Sequence, residues 1–355
     1  MSECNTHDFM ETARRMASWR RPLLVTHEKP DGDALGSLVA MRALLQSQGT
    51  HPTALLFEPI PPRYELFNRF PPISILGRDL HLSDLDACDA VVVLDTCAYA
   101  QLRPIADWLR AAAQPKLAID HHVTRDALAD SYLVDESAAA TCLILYDFAR
   151  AANWPIDAEI AEALFIGMAM DTGWFRHSNT DHRVLAATAD LAARGVRPHQ
   201  FYESLFLRES AARVRLLGTA VATMELFAGG QAAVMTLPTK AITGAGATHA
   251  DTEDIVNEPL RIASVVVSVL LVEHDDGMVR ASFRSKPPPE TRMPRSDATV
   301  PDVDVAALAQ TFGGGGHKRA AGARIPGTLA EVRRSVVEFL MDQFQTRPPI
   351  SSPRE

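Results

Sequence analysis

The sequence predicts an α/β chain of two domains, the first built on a mostly parallel sheet and joined by a helical linker to a smaller α/β domain. Three observations lead there. Short apolar runs alternate with stretches of helical spacing through the first half, the pattern of βαβ units. Acids and histidines stand directly after three of those runs. Past about residue 195 the texture changes to strand-like runs and a glycine cluster. At 355 residues the chain also exceeds what one ordinary core holds.

Residues 23–26 form a β-type run, and 34–48 follow with helical spacing up to Gly49. Residues 91–94 are a continuous apolar run of the buried-strand kind, and 116–119 are a shorter one. Helices are expected over 137–152, 158–170 and 197–217. Strand patterns follow at 232–237, 265–273 and 278–285, with His274-Asp275-Asp276-Gly277 as a hairpin turn. Residues 287–301, rich in Pro and charge, read as an exposed loop, and helices near 305–312 and 329–344 close the chain. The expected division is a domain over 1–195, a helical linker over 196–220, a second domain over 221–345 and a tail over 346–355; no internal repeat is present.

Apolar content of 47% and charged content of 22% are those of a globular protein. The N-terminal segment MSECNTHDFMETARRMASWRRP carries acids and no continuous apolar run, so it does not read as a signal peptide. No uncharged apolar stretch reaches the roughly 18 residues of a membrane span. Cys4, Cys88, Cys97 and Cys142 lack C-x-x-C spacing and suggest neither a zinc cage nor a disulfide framework. A cytoplasmic location is therefore expected. The net charge of −9 argues against a broad basic face for long duplex nucleic acid. It is compatible with a phosphate substrate, because cations and a few placed Arg or Lys residues reverse the field locally.

His27, Asp31 and Asp33 lie in T-H-E-K-P-D-G-D-A-L-G-S, directly after the first run. Asp95 ends V-V-V-L-D-T, and Asp120, His121 and His122 end L-A-I-D-H-H. In an open parallel sheet the carboxyl ends of strands share one edge, where ligands bind. Three segments thus deliver acids and imidazoles to one place, and Asp171, ending a helical stretch, is a fourth contributor. Carboxylates with one or two imidazoles suit hard divalent ions. So many acids together would repel one another without cations between them. Taken singly, P-D-G-D is a turn, an Asp at a strand end is a helix cap, and a His pair is packing. Their coincidence at successive strand ends is what the bland readings do not explain.

In T-F-G-G-G-G-H-K-R-A-A-G-A, Gly314, Gly315 and Gly316 precede His317, Lys318 and Arg319. A backbone without Cβ atoms can approach a ligand closely, and the donors after it can hold phosphate oxygens. Arg284, late in a strand, reads by spacing as a solvated edge residue, with a phosphate clamp as the alternative.

These segments together resemble the DHH phosphoesterase family, whose naming triplet is Asp120-His121-His122 here. The order H-E-K-P-D-G-D-A-L-G-S, V-V-L-D-T, I-D-H-H, G-M-A-M-D-T-G-W-F-R and G-G-G-G-H-K-R-A-A-G-A is similar to its oligoribonuclease and pAp phosphatase branch, from about residue 10 to 345. The resemblance implies a catalytic domain and a smaller DHH-associated domain closing over a cleft. It implies two divalent ions, Mn²⁺ before Mg²⁺ or Co²⁺. His27 and Asp31 would hold one, Asp33, His121 and Asp171 the other, and Asp95 would bridge them. His122, beside Asp120, would face the scissile phosphate. Arg284, His317 and Arg319 would grip the rest of the substrate along with the glycine run.

The implied reaction is hydrolysis of short oligoribonucleotides or 3′-phosphoadenosine 5′-phosphate (pAp) by a metal-bridging hydroxide attacking phosphorus. A pApA or cyclic-dinucleotide phosphodiesterase is the alternative, ahead of a non-catalytic nucleotide-binding regulator and a structural metalloprotein. The partner is a small nucleotide or short single strand, with no membrane and no long duplex. Family habit points to a homodimer. Two departures stand out: His177 occupies a position where the branch often has an aromatic residue, and the 287–301 loop is long.

Overall fold

The structure, a computed structural model, describes residues 6–123, 125–287 and 301–345. The chain divides into two units, Met1–Arg208 and Glu209–Glu355. The expected loop at 287–301 lies, but for its two end residues, outside the described residues, as does the tail at 346–355.

The first unit contains, in chain order, α1 (Thr6–Met16), β1 (Pro22–Val25), α2 (Gly32–Ser47), β2 (Thr53–Leu56), β3 (Ser74–Ile75) and β4 (Ala90–Leu94). There follow α3 (Ala106–Ala111), β5 (Lys116–Asp120), β6 (Ser131–Val134), α4 (Thr141–Ala151), α5 (Ala158–Asp171), α6 (His182–Ala193) and α7 (Pro198–Phe206). All six strands pair in parallel, in the order β3-β2-β1-β4-β5-β6. Because side chains alternate across a strand, β4 feeds two cores. Val92 and Leu94 join Leu38, Leu143 and Leu164 of α2, α4 and α5 on one face. Val91 and Val93 join Ile105 and Leu109 on the other. A central strand covered on both faces has no place for a polar side chain, which is why 90–94 carries none.

The second unit contains α8 (Ala211–Ala222), β7 (Glu225–Phe227), β8 (Ala232–Leu237), α9 (Thr239–Gly244), β9 (Val267–Glu273) and β10 (Met278–Ser285). It continues with α10 (Val305–Thr311), β11 (Gly315–His317), β12 (Ala320–Pro326) and α11 (Leu329–Gln345). Its mixed sheet runs β11-β12-β10-β9-β8-β7, with β8 and β9 parallel and the other pairs antiparallel. Val279, Ala281 and Phe283 pack with α10 and α11 on one face. Met235, Leu237 and Leu270 pack with Leu216 and Ile242 on the other. The β9–β10 hairpin turns where expected, with His274 N–H donating to Met278 O at 2.9 Å.

Two helices differ from the sequence expectation. Residues 137–140 are not helical, because the Asp135 carboxylate takes the Ser137 N–H at 2.9 Å and Ala140 is extended, so α4 starts at Thr141. The stretch 197–217 is two helices, α7 and α8, since Ser210 turns extended and its hydroxyl caps the second by accepting from Arg213 N–H at 3.0 Å. Phe201 of α7 lies in the first unit's core, and Leu216 of α8 in the second's. Among the described residues no helix is long and apolar enough to cross a membrane.

Candidate metal centre

The strand order reverses its direction of advance between β1 and β4, and the crevice beyond their carboxyl ends is where such sheets bind ligands. His27 follows β1 by two residues, Asp31 caps α2 and Asp33 lies in its first turn. Asp95 comes directly after β4, while Asp120 is the last residue of β5, with His121 and His122 behind it. Asp171 is the last residue of α5.

These elements bring the predicted donors together. Donor atoms of His27, Asp31 and Asp95 lie within 4.8 Å of one another, as do those of Asp33, His121 and Asp171. Asp95 forms a further such group with His121 and His122. His27 Nε2 is 3.5 Å from Asp95 Oδ2, and His121 Nε2 is 3.6 Å from Asp95 Oδ1 and 3.2 Å from Asp171 Oδ2. Asp95 adopts φ 61°, a left-handed conformation that Asp tolerates better than most residues.

The neighbours fix these side chains. Asp31 Oδ1 accepts from the N–H groups of Asp33 and Ala34 at 3.0 and 3.1 Å. Asp33, fully buried, accepts from the N–H groups of Thr141 (2.6 Å) and Cys142 (3.0 Å), and so caps α4 from another segment. The Thr141 hydroxyl donates to Asp95 Oδ1 at 2.9 Å. Thr141 thus touches two of the predicted ligands. Sequence reasoning missed it; the available signal was a helix start at 140–141 with no capping side chain of its own.

The charges press on one another. Burial first, then the Asp171 carboxylate, pushes Asp33 up to about 7. Burial with Asp33 and Asp31 nearby raises Asp95 well above the usual carboxylate range. Burial alone would depress His121, but Asp171 and Asp33 outweigh it and raise that imidazole to about 9. Burial holds His27 below its ordinary value. A proton, or a cation in its place, is what this cluster needs.

The donor set fits divalent ions. His121 Nδ1 lies 3.2 Å from Ala138 O, an acceptor, so Nδ1 carries one proton, and a cation that displaced the other would find the lone pair on Nε2. That Nε2 is buried, 3.2 Å from Asp171 Oδ2 and 3.6 Å from Asp95 Oδ1, and makes no well-formed hydrogen bond with either. A lone pair ringed by carboxylate oxygens suits a metal ion better than a hydrogen bond. His122 differs: its Nδ1 donates to Asp120 Oδ1 at 2.7 Å, which occupies that atom. Its side chain is 52% exposed. The bond to Asp120 raises its pKa. Asp120, fully buried, also accepts from the N–H groups of His121 (2.8 Å) and His122 (3.1 Å).

The remaining predicted residues belong to the second unit. Register places Ser268, Arg284, Ala320 and His317 on one cross-strand row through β9, β10, β12 and β11. Arg284 and His317 are then roughly 10 Å apart, with only the small Ala320 between them. Arg319 is committed locally: its guanidinium donates to Lys286 O and Val303 O at 3.1 Å each and to Asp302 at 2.5 Å. Lys318 also pairs with Asp302, at 2.6 Å. A Cβ on Gly314 would meet Gly322 O at 2.1 Å, and Gly316 has φ 146°, so strand pairing itself requires both glycines. Gly315 has open space about it. As for His177, its ring lies across Gly173, where a Cβ would meet Nε2 at 2.2 Å.

Comparison with known proteins agrees with this architecture. Residues 22–168 match the model described as DHH family, N-terminal domain, and 229–346 match the DHHA1 domain. The chain is 29% identical over 329 residues to the bifunctional oligoribonuclease and PAP phosphatase NrnA of Thermus thermophilus, covering 90% of this chain and 89% of that one. It is 26% identical over 318 residues to the protein of the same name from Bacillus subtilis, covering 89% and 92%. An exopolyphosphatase-related protein from Bacteroides fragilis shares the fold, with a TM-score of 0.81 at 22% identity over 97% of this chain and all of its own. Both domains being matched in order, and the relatives over most of their length, the chain belongs to the DHH family and is a hydrolytic enzyme.

Proposed function

We propose that the chain hydrolyses phosphate esters of small nucleotides, namely short oligoribonucleotides and pAp, at the Asp/His cluster of its first unit. The observation that carries this is the pair of donor groups, His27–Asp31–Asp95 and Asp33–His121–Asp171, around a buried imidazole nitrogen that makes no well-formed hydrogen bond. The relatives named oligoribonuclease and PAP phosphatase support the substrate class.

In this reading His27 and Asp31 would hold one divalent ion and Asp33, His121 and Asp171 a second, with Asp95 available to both. Mn²⁺ is the first candidate, ahead of Mg²⁺ and Co²⁺. Such ions, when bound, supply positive charge for the phosphoryl oxygens and a water of lowered pKa. The chain's own residues supply the rest. Asp120 holds the His122 imidazole by Nδ1 and favours its protonated form, so that Nε2–H is available to a phosphoryl or leaving oxygen. Arg284 and His317, on one row of the second unit, are the proposed grip on the distal phosphate or nucleoside, and Gly315 is where backbone can approach it. Arg319 supports that row through its carbonyl bonds. The proposed location is the cytoplasm, where the free thiols of Cys88, Cys97 and Cys142 would stay reduced. Its proposed state is a homodimer, which light scattering tests.

The test is release of phosphate from pAp and of mononucleotide from a short RNA, with Mn²⁺ and with chelator. Metal-dependent turnover that disappears in Asp95→Asn is the expected result. Asn suits the left-handed backbone at 95, so this variant folds. Turnover of neither substrate by metal-loaded wild type, or full turnover by Asp95→Asn, would sink the proposal.

A further inference from the structure

Immediately beyond Asp171 the backbone does something unusual. Gly173, Trp174 and Phe175 have φ of 56°, 59° and 61°, three successive left-handed residues of which two are bulky. Thr172 secures the turn: its hydroxyl accepts from Phe175 N–H at 3.2 Å and its carbonyl from the N–H groups of Arg176 and His177 at 3.0 Å each. Phe175 lies against the core ring of Phe165, while half-buried Trp174 reaches rings of α7. Its ring centroid is 5.4 Å from that of Tyr202 and 5.5 Å from that of Phe206. Tyr202 is 40% exposed. The guanidinium of exposed Arg63 stands 5.7 Å from the Phe206 ring and 6.0 Å from that of Tyr64.

The group adjoins the metal centre. Gly32, between the predicted ligands Asp31 and Asp33, has no room for a Cβ: that atom would lie 2.4 Å from Met170 Cγ and 3.6 Å from Tyr64 Cε1. Tyr64 therefore rests against the backbone that carries two of the ligands, and Trp174 is three residues from a third.

We propose that Trp174, Tyr202 and Phe206 form a stacking platform for bases of a single-stranded oligoribonucleotide beyond the scissile phosphate, with Arg63 meeting an adjoining backbone phosphate. A cluster of half-buried rings edged by exposed Tyr202, with a cation beside it, is what such strands bind, because every base has a π face and every linkage a negative charge. The placement beside an acidic cluster matters too: outside the metal ions the substrate's charge needs a cation, and Arg63 is positioned to supply one. This deepens the proposed function and rests on it. It makes the longer substrate, and not pAp with its single base, the one the first unit is shaped to select.

The experiment uses the full chain and a fluorescein-labelled pentaribonucleotide. Anisotropy in chelator measures binding without cleavage for wild type, Trp174→Ala, Tyr202→Ala and Arg63→Ala. Tyr202, at the exposed side, guards against a Trp174 variant that fails to fold. Expected is about a tenfold weaker pentanucleotide affinity for Trp174→Ala or Tyr202→Ala, by the stacking lost. With Mn²⁺, the ratio of kcat/KM on pentanucleotide to that on pAp falls by a similar factor, through KM. Pentanucleotide binding equal to wild type in folded Tyr202→Ala overturns the platform, and so does an equal loss on both substrates. The underlying reading fails separately. Wild type that binds the pentanucleotide through Tyr202 yet releases nothing from either substrate would refute the hydrolase assignment and leave the platform standing.

Discussion

Thr141→Val isolates one hydrogen bond at the candidate metal centre. Thr141 is fully buried, and its hydroxyl donates to Asp95 Oδ1 at 2.9 Å while its N–H donates to Asp33 Oδ2 at 2.6 Å. Valine keeps the branched shape and the N–H and deletes only the hydroxyl. A hydrogen bond to a charged group contributes about 1.5–3 kcal/mol, and this one favours the ionised carboxylate that a metal needs. At about 1.4 kcal/mol per decade, its loss predicts weaker Mn²⁺ binding by between ten- and a hundredfold. The assay is calorimetric titration of Mn²⁺ into chelator-stripped wild type, Thr141→Val and Thr141→Ser, with thermal unfolding in parallel. Thr141→Ser keeps the hydroxyl and should stay near wild type. Unchanged affinity in Thr141→Val, or equal weakening in both variants, would refute the reasoning.

Three further outcomes follow from the structure. Without metal, the raised carboxyls of Asp33 (about 7) and Asp95 and the raised imidazole of His121 (about 9) bind protons more tightly folded than unfolded. Their stabilisation is complete below the unfolded values, about 4 for Asp and about 6.5 for His, and is lost as pH rises through the folded ones. The Tm of chelated protein should thus fall between about pH 4 and 9, and Mn²⁺ should flatten the profile; a metal-free Tm rising with pH contradicts the cluster. Gly314→Ala should cost about 1–3 kcal/mol by driving a Cβ into Gly322 O, whereas Gly315→Ala, with open space, should leave thermal stability within about 0.5 kcal/mol. Equal Tm losses would show that the glycine run is read wrongly. Arg319→Ala should lower stability by about 1–3 kcal/mol through its bonds to the Lys286 and Val303 carbonyls, while Arg284→Ala should raise KM with little change in Tm. The reverse pattern in melting and kinetic assays would exchange their roles.

Much of the first unit was legible because its signals are local. A strand buried on both faces must be apolar throughout, and residues 90–94 show that directly. The acids and histidines then follow at the strand ends, so their common edge could be read from a parallel sheet alone. β2, β3 and β6 were not legible: β3 is two residues long, β6 buries only one of its four residues, and β2 is short and stands apart from any motif. The helix expected over 197–217 was drawn through a break that only a serine cap marks.

The sequence by itself determined which residue types stand at the strand ends and in what order, because burial and periodicity are set within a few neighbouring positions. Tertiary structure decided what they do to one another. Asp33 caps a helix that begins 108 residues later, and Thr141 thereby reaches Asp95 as well. Arg319, a free donor by spacing, is tied down by carbonyls 16 and 33 residues away. Gly314 is glycine because of a neighbouring strand. The rings of Trp174, Tyr202 and Phe206 meet only because α7 returns to the turn after Asp171. Each of these depends on a contact between distant segments, and a local pattern carries no record of which distant atom will arrive.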